Sequence, residues 1–235
     1  MSVAALVLAA GRGERLGLPM PKAFVPLVGR PLLLHALAAM ASVPAIVRVV
    51  PVIARADLGR WERLAPELAG IPKLAEPVFG GAERQDSVRA GLATLGPEIE
   101  WVAVHDAARP FVRPAAVVRV LEAARASGAA ILAAPVSDTI KRVRAGCVVE
   151  TPPRAECWAA QTPQVFRVEL LREALAKASA EGRMATDDAQ LVEWLGVAVA
   201  VVLGDADNQK LTGPEDLAAA ERRLADSEAE RGRRP

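Results

Sequence analysis

Near the start of the chain, Gly11, Gly13 and Gly17 alternate with charged residues, and Arg15 and Lys22 stand within reach of them. They follow an apolar run, Val3 to Ala10, that stops abruptly at glycine. Such a run reads as a buried strand ending at the carboxyl edge of a sheet, where open α/β sheets bind ligands. Glycines there let backbone N–H groups approach phosphate oxygens, and Arg15 and Lys22 supply the positive charge a polyphosphate needs. The same residues equally suit a surface turn with solvated charges. A P-loop is excluded because no Gly-Lys pair follows the strand. The dinucleotide fingerprint fails too: Gly17 comes one residue late, and no acidic residue closes the second apolar run, Ile46 to Ala54.

Three further segments follow predicted strands. Gly80-Gly81-Ala82-Glu83-Arg84-Gln85-Asp86-Ser87-Val88 joins a glycine turn to a helix start. Its free N–H groups and the Ser87 hydroxyl suit a nucleobase or ribose, and suit plain helix capping as well. Val104-His105-Asp106-Ala107-Ala108-Arg109-Pro110 puts a carboxylate at a strand end. Asp106 suits a helix cap or turn as well, but beside a polyphosphate an acid would repel the phosphates unless a hard cation bridged them. Gly204-Asp205-Ala206-Asp207-Asn208-Gln209-Lys210 offers a second carboxylate, Asp207, and a lysine.

The elements that must position these groups alternate between strand and helix. Strands are predicted at 3–10, 46–54, 73–79, 101–104, 129–136 and 197–203. Helices are predicted from Pro31, at 57–68, 83–95, 114–126, 168–180 and 186–195, and from Gly213-Pro214 onward. Residues 158–166 also read as extended. This pattern predicts an α/β fold, a mostly parallel twisted sheet with helices on both faces. Residues 137–160 break the rhythm and read as a projecting β-arm. Its alternating Ile, Val and Trp residues would leave apolar surface bare unless a second subunit covers it, which predicts a homodimer. One domain over 1–235 is expected, with residues 226–235 fraying.

Composition narrows the function class. The 29 basic and 28 acidic side chains nearly cancel, which argues against a general nucleic-acid or membrane-surface role. No apolar run is long enough for a bilayer span and no basic leader precedes the first strand, so a cytoplasmic protein is expected. Cys147 and Cys157 form no disulfide framework and read as reduced core or interface residues. His35 and His105 read as structural, His105 being placed to orient Asp106.

Taken together, the segments resemble the 2-C-methyl-D-erythritol 4-phosphate cytidylyltransferase family of the non-mevalonate isoprenoid pathway. The matching pieces are A-A-G-R-G-E-R-L-G at 9–17, P-K at 21–22, G-G-A-E-R-Q-D-S-V at 80–88 and V-H-D-A-A-R-P at 104–110. They continue with A-P-V-S-D-T-I-K-R at 134–142, Q-T-P-Q at 161–164, T-D-D at 186–188 and A-D-N-Q-K at 206–210. The resemblance spans nearly the whole chain, and implies a Rossmann-like nucleotidyltransferase fold and cytidylyl transfer from CTP to methylerythritol phosphate with Mg²⁺. It implies that Ala9, Ala10, Gly11 and Gly13 bind the nucleotide, with Arg15 and Lys22 on its triphosphate. Gly81, Ala82 and Ser87 are implied for cytosine and ribose, Asp106 and Ala107 for the nucleotide, and Asp106 and Lys210 for the metal and α-phosphate region and for the acceptor, with Asp207 a second metal candidate. Arg109, Thr139, Arg154, Thr162 and Thr186 are implied to hold the acceptor, Thr139 and Arg154 from the partner's arm. Ala82 stands where some relatives carry an acid, so only its backbone is expected to act. A ribitol 5-phosphate cytidylyltransferase shares most of these motifs, and a catalytically silent nucleotide-binding regulator remains the alternative from another class.

Overall fold

The structure is a computed structural model that describes residues 2–11 and 20–232, with side chains described as far as residue 225. Strand β1, Val3–Ala9, is an unbroken run of Val, Ala and Leu, as a strand covered on both faces must be. Beyond it come a small hairpin of β2 (Pro26–Leu27) and β3 (Arg30–Pro31), helix α1 (Leu32–Ala41) and β4 (Ile46–Ile53). Two short helices, α2 (Leu58–Arg63) and α3 (Ala65–Leu68), replace the single helix expected at 57–68. Pro66 explains the break, since it lacks an N–H and its ring clashes with the preceding turn. Next are β5 (Val78–Phe79), α4 (Arg84–Leu92), β6 (Trp101–Asp106), α5 (Pro114–Ser127) and β7 (Ala129–Pro135). Strand β5 is shorter than expected. Pro77 has no N–H for a ladder, and Lys73 is in the left-handed region at φ 63°, leaving an isolated bridge from Leu74 to Val49.

The chain then leaves the sheet. Strands β8 (Arg142–Arg144) and β9 (Cys147–Glu150) pair only with each other. Ala145 and Gly146, at φ 47° and 79°, close them in the two-residue turn that requires positive φ at both positions. Strand β10 (Trp158–Arg167) rejoins the sheet, followed by α6 (Val168–Ala180), α7 (Asp188–Glu193), β11 (Ala200–Leu203) and α8 (Pro214–Gly232). The arm is therefore shorter than 137–160, because Trp158, Ala159 and Ala160 already pair with β7. Cys147 is exposed on β9 and Cys157 half-buried at the arm's base, so neither is a core residue.

The main sheet has seven strands in the order β11-β7-β10-β6-β1-β4-β5. Strand β10 is antiparallel to both neighbours, and the other pairings are parallel. The reversal follows from the arm: the chain leaves and re-enters at the same end of the sheet without a crossover helix. Alternate residues of β1 feed two cores. Val3, Ala5 and Val7 face α1 and α5 on one side, while Ala4 and Leu6 face α4 and α6 on the other. A smaller cluster of Leu27, Leu32, Leu211 and Ala220 holds α8 against the first hairpin. After β1 the chain adds β4 and β5 on one side and then returns to place β6 on the other. The crevice between the carboxyl ends of β1 and β6 is thus the topological switch point, where such sheets bind ligands.

Candidate active site

A cleft of about 290 Å³ opens at that point. Ala9, Ala10 and Gly11 border it where β1 ends, and Asp106, Ala107 and Ala108 where β6 ends. Gly81, Ala82, Glu83, Arg84 and Ser87 line it from the start of α4, with Lys22 and Lys210 on its rim. One glycine explains how the two nucleotide-type loops come together. A Cβ on Gly80 would lie 2.5 Å from the Ser87 hydroxyl and 2.6 Å from the Ala10 Cβ, so only glycine lets the loop after β5 close onto the loop after β1.

Asp106 is the electrostatic centre. Arg84 Nη1 donates to its Oδ1 at 2.5 Å, and Lys210 Nζ lies 2.8 Å from its Oδ2. Burial would raise its pKa, but the charges of Arg84 and Lys210 outweigh that and hold the carboxyl well below the usual carboxylate range. Burial likewise opposes the charge on Arg84, yet Asp188 and Asp106 together raise its pKa above the ordinary arginine value. The backbone under Asp106 is fixed from behind. Its N–H donates to Thr162 Oγ1 at 3.0 Å, and Thr162 Oγ1 lies 3.0 Å from His105 Nδ1. His105 Nε2 is 3.1 Å from the Arg109 carbonyl, which can only accept. Nε2 therefore carries the proton, Nδ1 accepts from the Thr162 hydroxyl, and the imidazole is neutral. Burial, opposed by Asp106, lowers the His105 pKa to about 4.

Lys210 reaches the cleft because the segment after β11 is tied down along its length. Asn208 donates from Nδ2 to Gln161 Oε1 and to the Thr162 carbonyl, and Leu211 N–H donates to the Ala108 carbonyl. Arg109 Nη1 and Nη2 donate to the carbonyls of Asn208 and Ala160 at 2.6 and 3.1 Å. Gln161 and Thr162 are free for these contacts because the β10–β7 ladder is interrupted between Ala160 and Gln164.

The family model described as IspD, 2-C-methyl-D-erythritol 4-phosphate cytidylyltransferase, matches residues 3–226. The chain belongs to this family. A 2-C-methyl-D-erythritol 4-phosphate cytidylyltransferase of Geotalea uraniireducens is 43% identical over 233 residues, 98% of this chain and 100% of that one. A bifunctional IspD/IspF enzyme of a Bradyrhizobium species is 47% identical over 95% of this chain and 57% of its own length. Among solved structures, 4-diphosphocytidyl-2C-methyl-D-erythritol synthase of Anaerococcus prevotii superposes with a TM-score of 0.84 at 30% identity, covering 95% of this chain and 98% of that one. The cytidylyltransferase of Thermus thermophilus gives 0.76 at 40% identity, covering 96% and 100%.

The structure brings together Ala9, Ala10, Gly11, Lys22, Gly81, Ala82, Ser87, Asp106, Ala107 and Lys210. Gly13 and Arg15 lie outside the described residues. Other expected residues sit elsewhere. Arg109 and Thr162 are buried beside Asp106, where Arg109 Nη1 and Nη2 donate to backbone carbonyls and the Thr162 hydroxyl meets the Asp106 N–H and His105. Thr186 is exposed ahead of α7, its N–H donating to Gln190 Oε1. Thr139 and Arg154 belong to the arm, where Arg154 donates to the Ser137 carbonyl. Asp207 does not line the cleft, and its carboxylate is paired with Arg113 at 2.7 Å and with Arg223. Sequence reasoning passed over Arg84 and Asp188. Both lie inside quoted motifs, but only the fold shows them joined, at 2.7 Å across a large sequence separation.

Proposed function

We propose that this chain transfers the cytidylyl group of CTP to 2-C-methyl-D-erythritol 4-phosphate, releasing pyrophosphate. The observation that carries this reading is a buried, ionised Asp106 at the end of β6, bracketed by Arg84 and Lys210 and facing the nucleotide loops. An acceptor phosphate is already ionised at neutral pH, so no general base is required. One of its oxygens bonds to the α-phosphorus of CTP, and the bond from that phosphorus to the β-phosphate bridging oxygen breaks. Pyrophosphate departs with the electron pair. The chain contributes alignment and positive charge, which phosphoryl-type transfer chiefly needs. Lys22 and Arg15 act on the triphosphate, and Lys210 on the α-phosphate and the incoming acceptor. Gly81, Ala82 and Ser87 hold the cytidine.

The donor set suits Mg²⁺, which is commonly held by one or two carboxylates plus substrate phosphates and water. Among the described residues no cluster of three His, Cys, Asp or Glu side chains exists, so Asp106 would hold the ion with the nucleotide supplying most of the rest. Bound there, Mg²⁺ neutralises charge on the phosphates.

The acceptor half of the site draws on a second subunit. A two-stranded hairpin is marginal in water by itself, and here Val143, Val148 and Val149 are 55%, 58% and 50% exposed. Covering this arm in a homodimer would carry Thr139 and Arg154 to the neighbouring cleft. Among the described residues no helix is long and apolar enough to cross a membrane. The deciding assay follows pyrophosphate release from CTP with methylerythritol phosphate and with ribitol 5-phosphate. Release with the first acceptor alone is expected. CTP binding without release on either acceptor would overturn the reading in favour of a silent nucleotide binder.

A further inference from the structure

Asp188 is a buried carboxylate for which the reaction has no evident use. Its side chain is 1% exposed at the start of α7, among buried Ala189, Leu191 and Val192. Its Oδ2 accepts from Arg84 Nη2 at 2.7 Å, while its buried Oδ1 has no partner. Arg84 in turn donates from Nη1 to Asp106 at 2.5 Å. The guanidinium is thus a bridge, one end in the cleft and the other in the core. The core end is firmly held. Gln164 Oε1 accepts from the N–H groups of Asp188 and Ala189 at 3.0 Å each, and Gln164 Nε2 donates to Asp187 at 2.8 Å.

We propose that Asp188 is a positioning residue for the transfer reaction, acting through Arg84 to fix the direction and the charge balance of Asp106. A buried ion pair is a poor source of stability, because apolar residues of the same volume serve as well or better. What it provides here is geometry. A planar guanidinium gripped by two carboxylates has one orientation, and so has the cleft carboxylate it grips. It also sets charge: Asp188 offsets one of the three cations, Arg84, Lys210 and Arg109, gathered around Asp106. Without Asp188 the cleft gains a positive charge and Arg84 loses the contact that keeps it from following the phosphates. CTP should then bind no worse, while the aligned ground state is lost.

The proposal rests on the cytidylyltransferase reading, and the assay separates the two. Wild type, Asp188→Asn, Arg84→Gln and the double variant are compared in steady-state CTP kinetics, with thermal melts alongside. Asp188→Asn should lower kcat on the order of ~10–100-fold, as loss of an outer support for a liganding group does, with KM for CTP within about threefold of wild type. The double variant should lose no more than Arg84→Gln alone, because two residues acting through one contact are not additive. Wild-type kcat in Asp188→Asn, or losses that add, would overturn the proposal while leaving the reading intact. If Asp188→Asn does not fold, Arg84→Lys decides, since it keeps the charge and cannot bridge two carboxylates. A similar fall in kcat is expected, and wild-type turnover would count against the bridge. Failure of wild type to release pyrophosphate with any acceptor would remove the reading and the proposal with it.

Discussion

At the residue scale, the two cleft lysines stand in different surroundings although both bear the same charge. Lys210 is paired at 2.8 Å with Asp106, so it arrives oriented, with 41% of its side chain still exposed to meet a phosphate. Lys22 opens a single-turn helix, Lys22–Phe24, whose Ala23 and Phe24 are buried in the larger core. Packing thus anchors the turn while its side chain borders the cleft. On the proposed reaction, replacing Lys22 by Ala removes the cation assigned to charge developing on the leaving pyrophosphate. By comparison with loss of one oxyanion donor, kcat should drop on the order of ~10²–10³-fold. The melting temperature should stay close to wild type, because Ala23 and Phe24 still seat the turn. Near-normal transfer by Lys22→Ala would remove this lysine from the site. Glycine and lysine positions were legible in the sequence because their chemistry is local. Thr162 and Arg109 were read as acceptor ligands from the motif, whereas their hydrogen bonds across β6, β10 and the segment after β11 are seen only in the fold. Such partners are invisible to spacing.

At the scale of elements, the arm turns a sequence irregularity into a change of sheet direction. The arm itself was legible as a break in the strand–helix rhythm. The antiparallel insertion of β10 between β6 and β7 was not, because strand direction depends on where the chain re-enters the sheet. If the arm serves the neighbouring subunit, complementation follows from symmetry. Arg154→Ala alone and Lys22→Ala alone should each be nearly inactive. In a mixed dimer, the core of the first and the arm of the second combine into one intact site. Co-expression at equal levels should therefore restore roughly a quarter of wild-type activity, half the dimers being mixed and each carrying one good site of two. Purification through two different tags, followed by the pyrophosphate assay, measures this. Activity no higher than the sum of the two parents would show that the arm serves its own subunit or none.

At the scale of the whole molecule, legibility followed the period of burial. The long runs that became β1, β4 and β7 are apolar on both faces, and the amphipathic segments became α5 and α6 close to their expected limits. Segments carrying Pro66 and Pro77 departed from expectation because backbone chemistry overrode the apolar pattern. The same burial governs how stability depends on pH. His35, half-buried on α1, has its pKa lowered chiefly by burial despite its contact with the Leu27 carbonyl, and His105 is lowered to about 4. An unfolded histidine titrates near ~6.5, so below that pH the unfolded chain binds protons that the native one excludes. Stability should accordingly be full above pH ~6.5 and decline as pH falls, His105 alone costing about 3 kcal/mol by pH ~4. Asp106 is held low and adds its loss only below its ordinary range, whereas Asp188, raised by burial, works in the opposite sense. The wild-type slope therefore mixes contributions, and variants must separate them. Urea unfolding from pH 7 to 4.5 should give a steep decline for wild type and a shallower one for His105→Gln, with His35→Gln between them. A His105→Gln slope equal to that of wild type would mean that the imidazole takes up its proton in the folded protein, and the neutral chain from Asp106 through Thr162 to Arg109 would have to be redrawn.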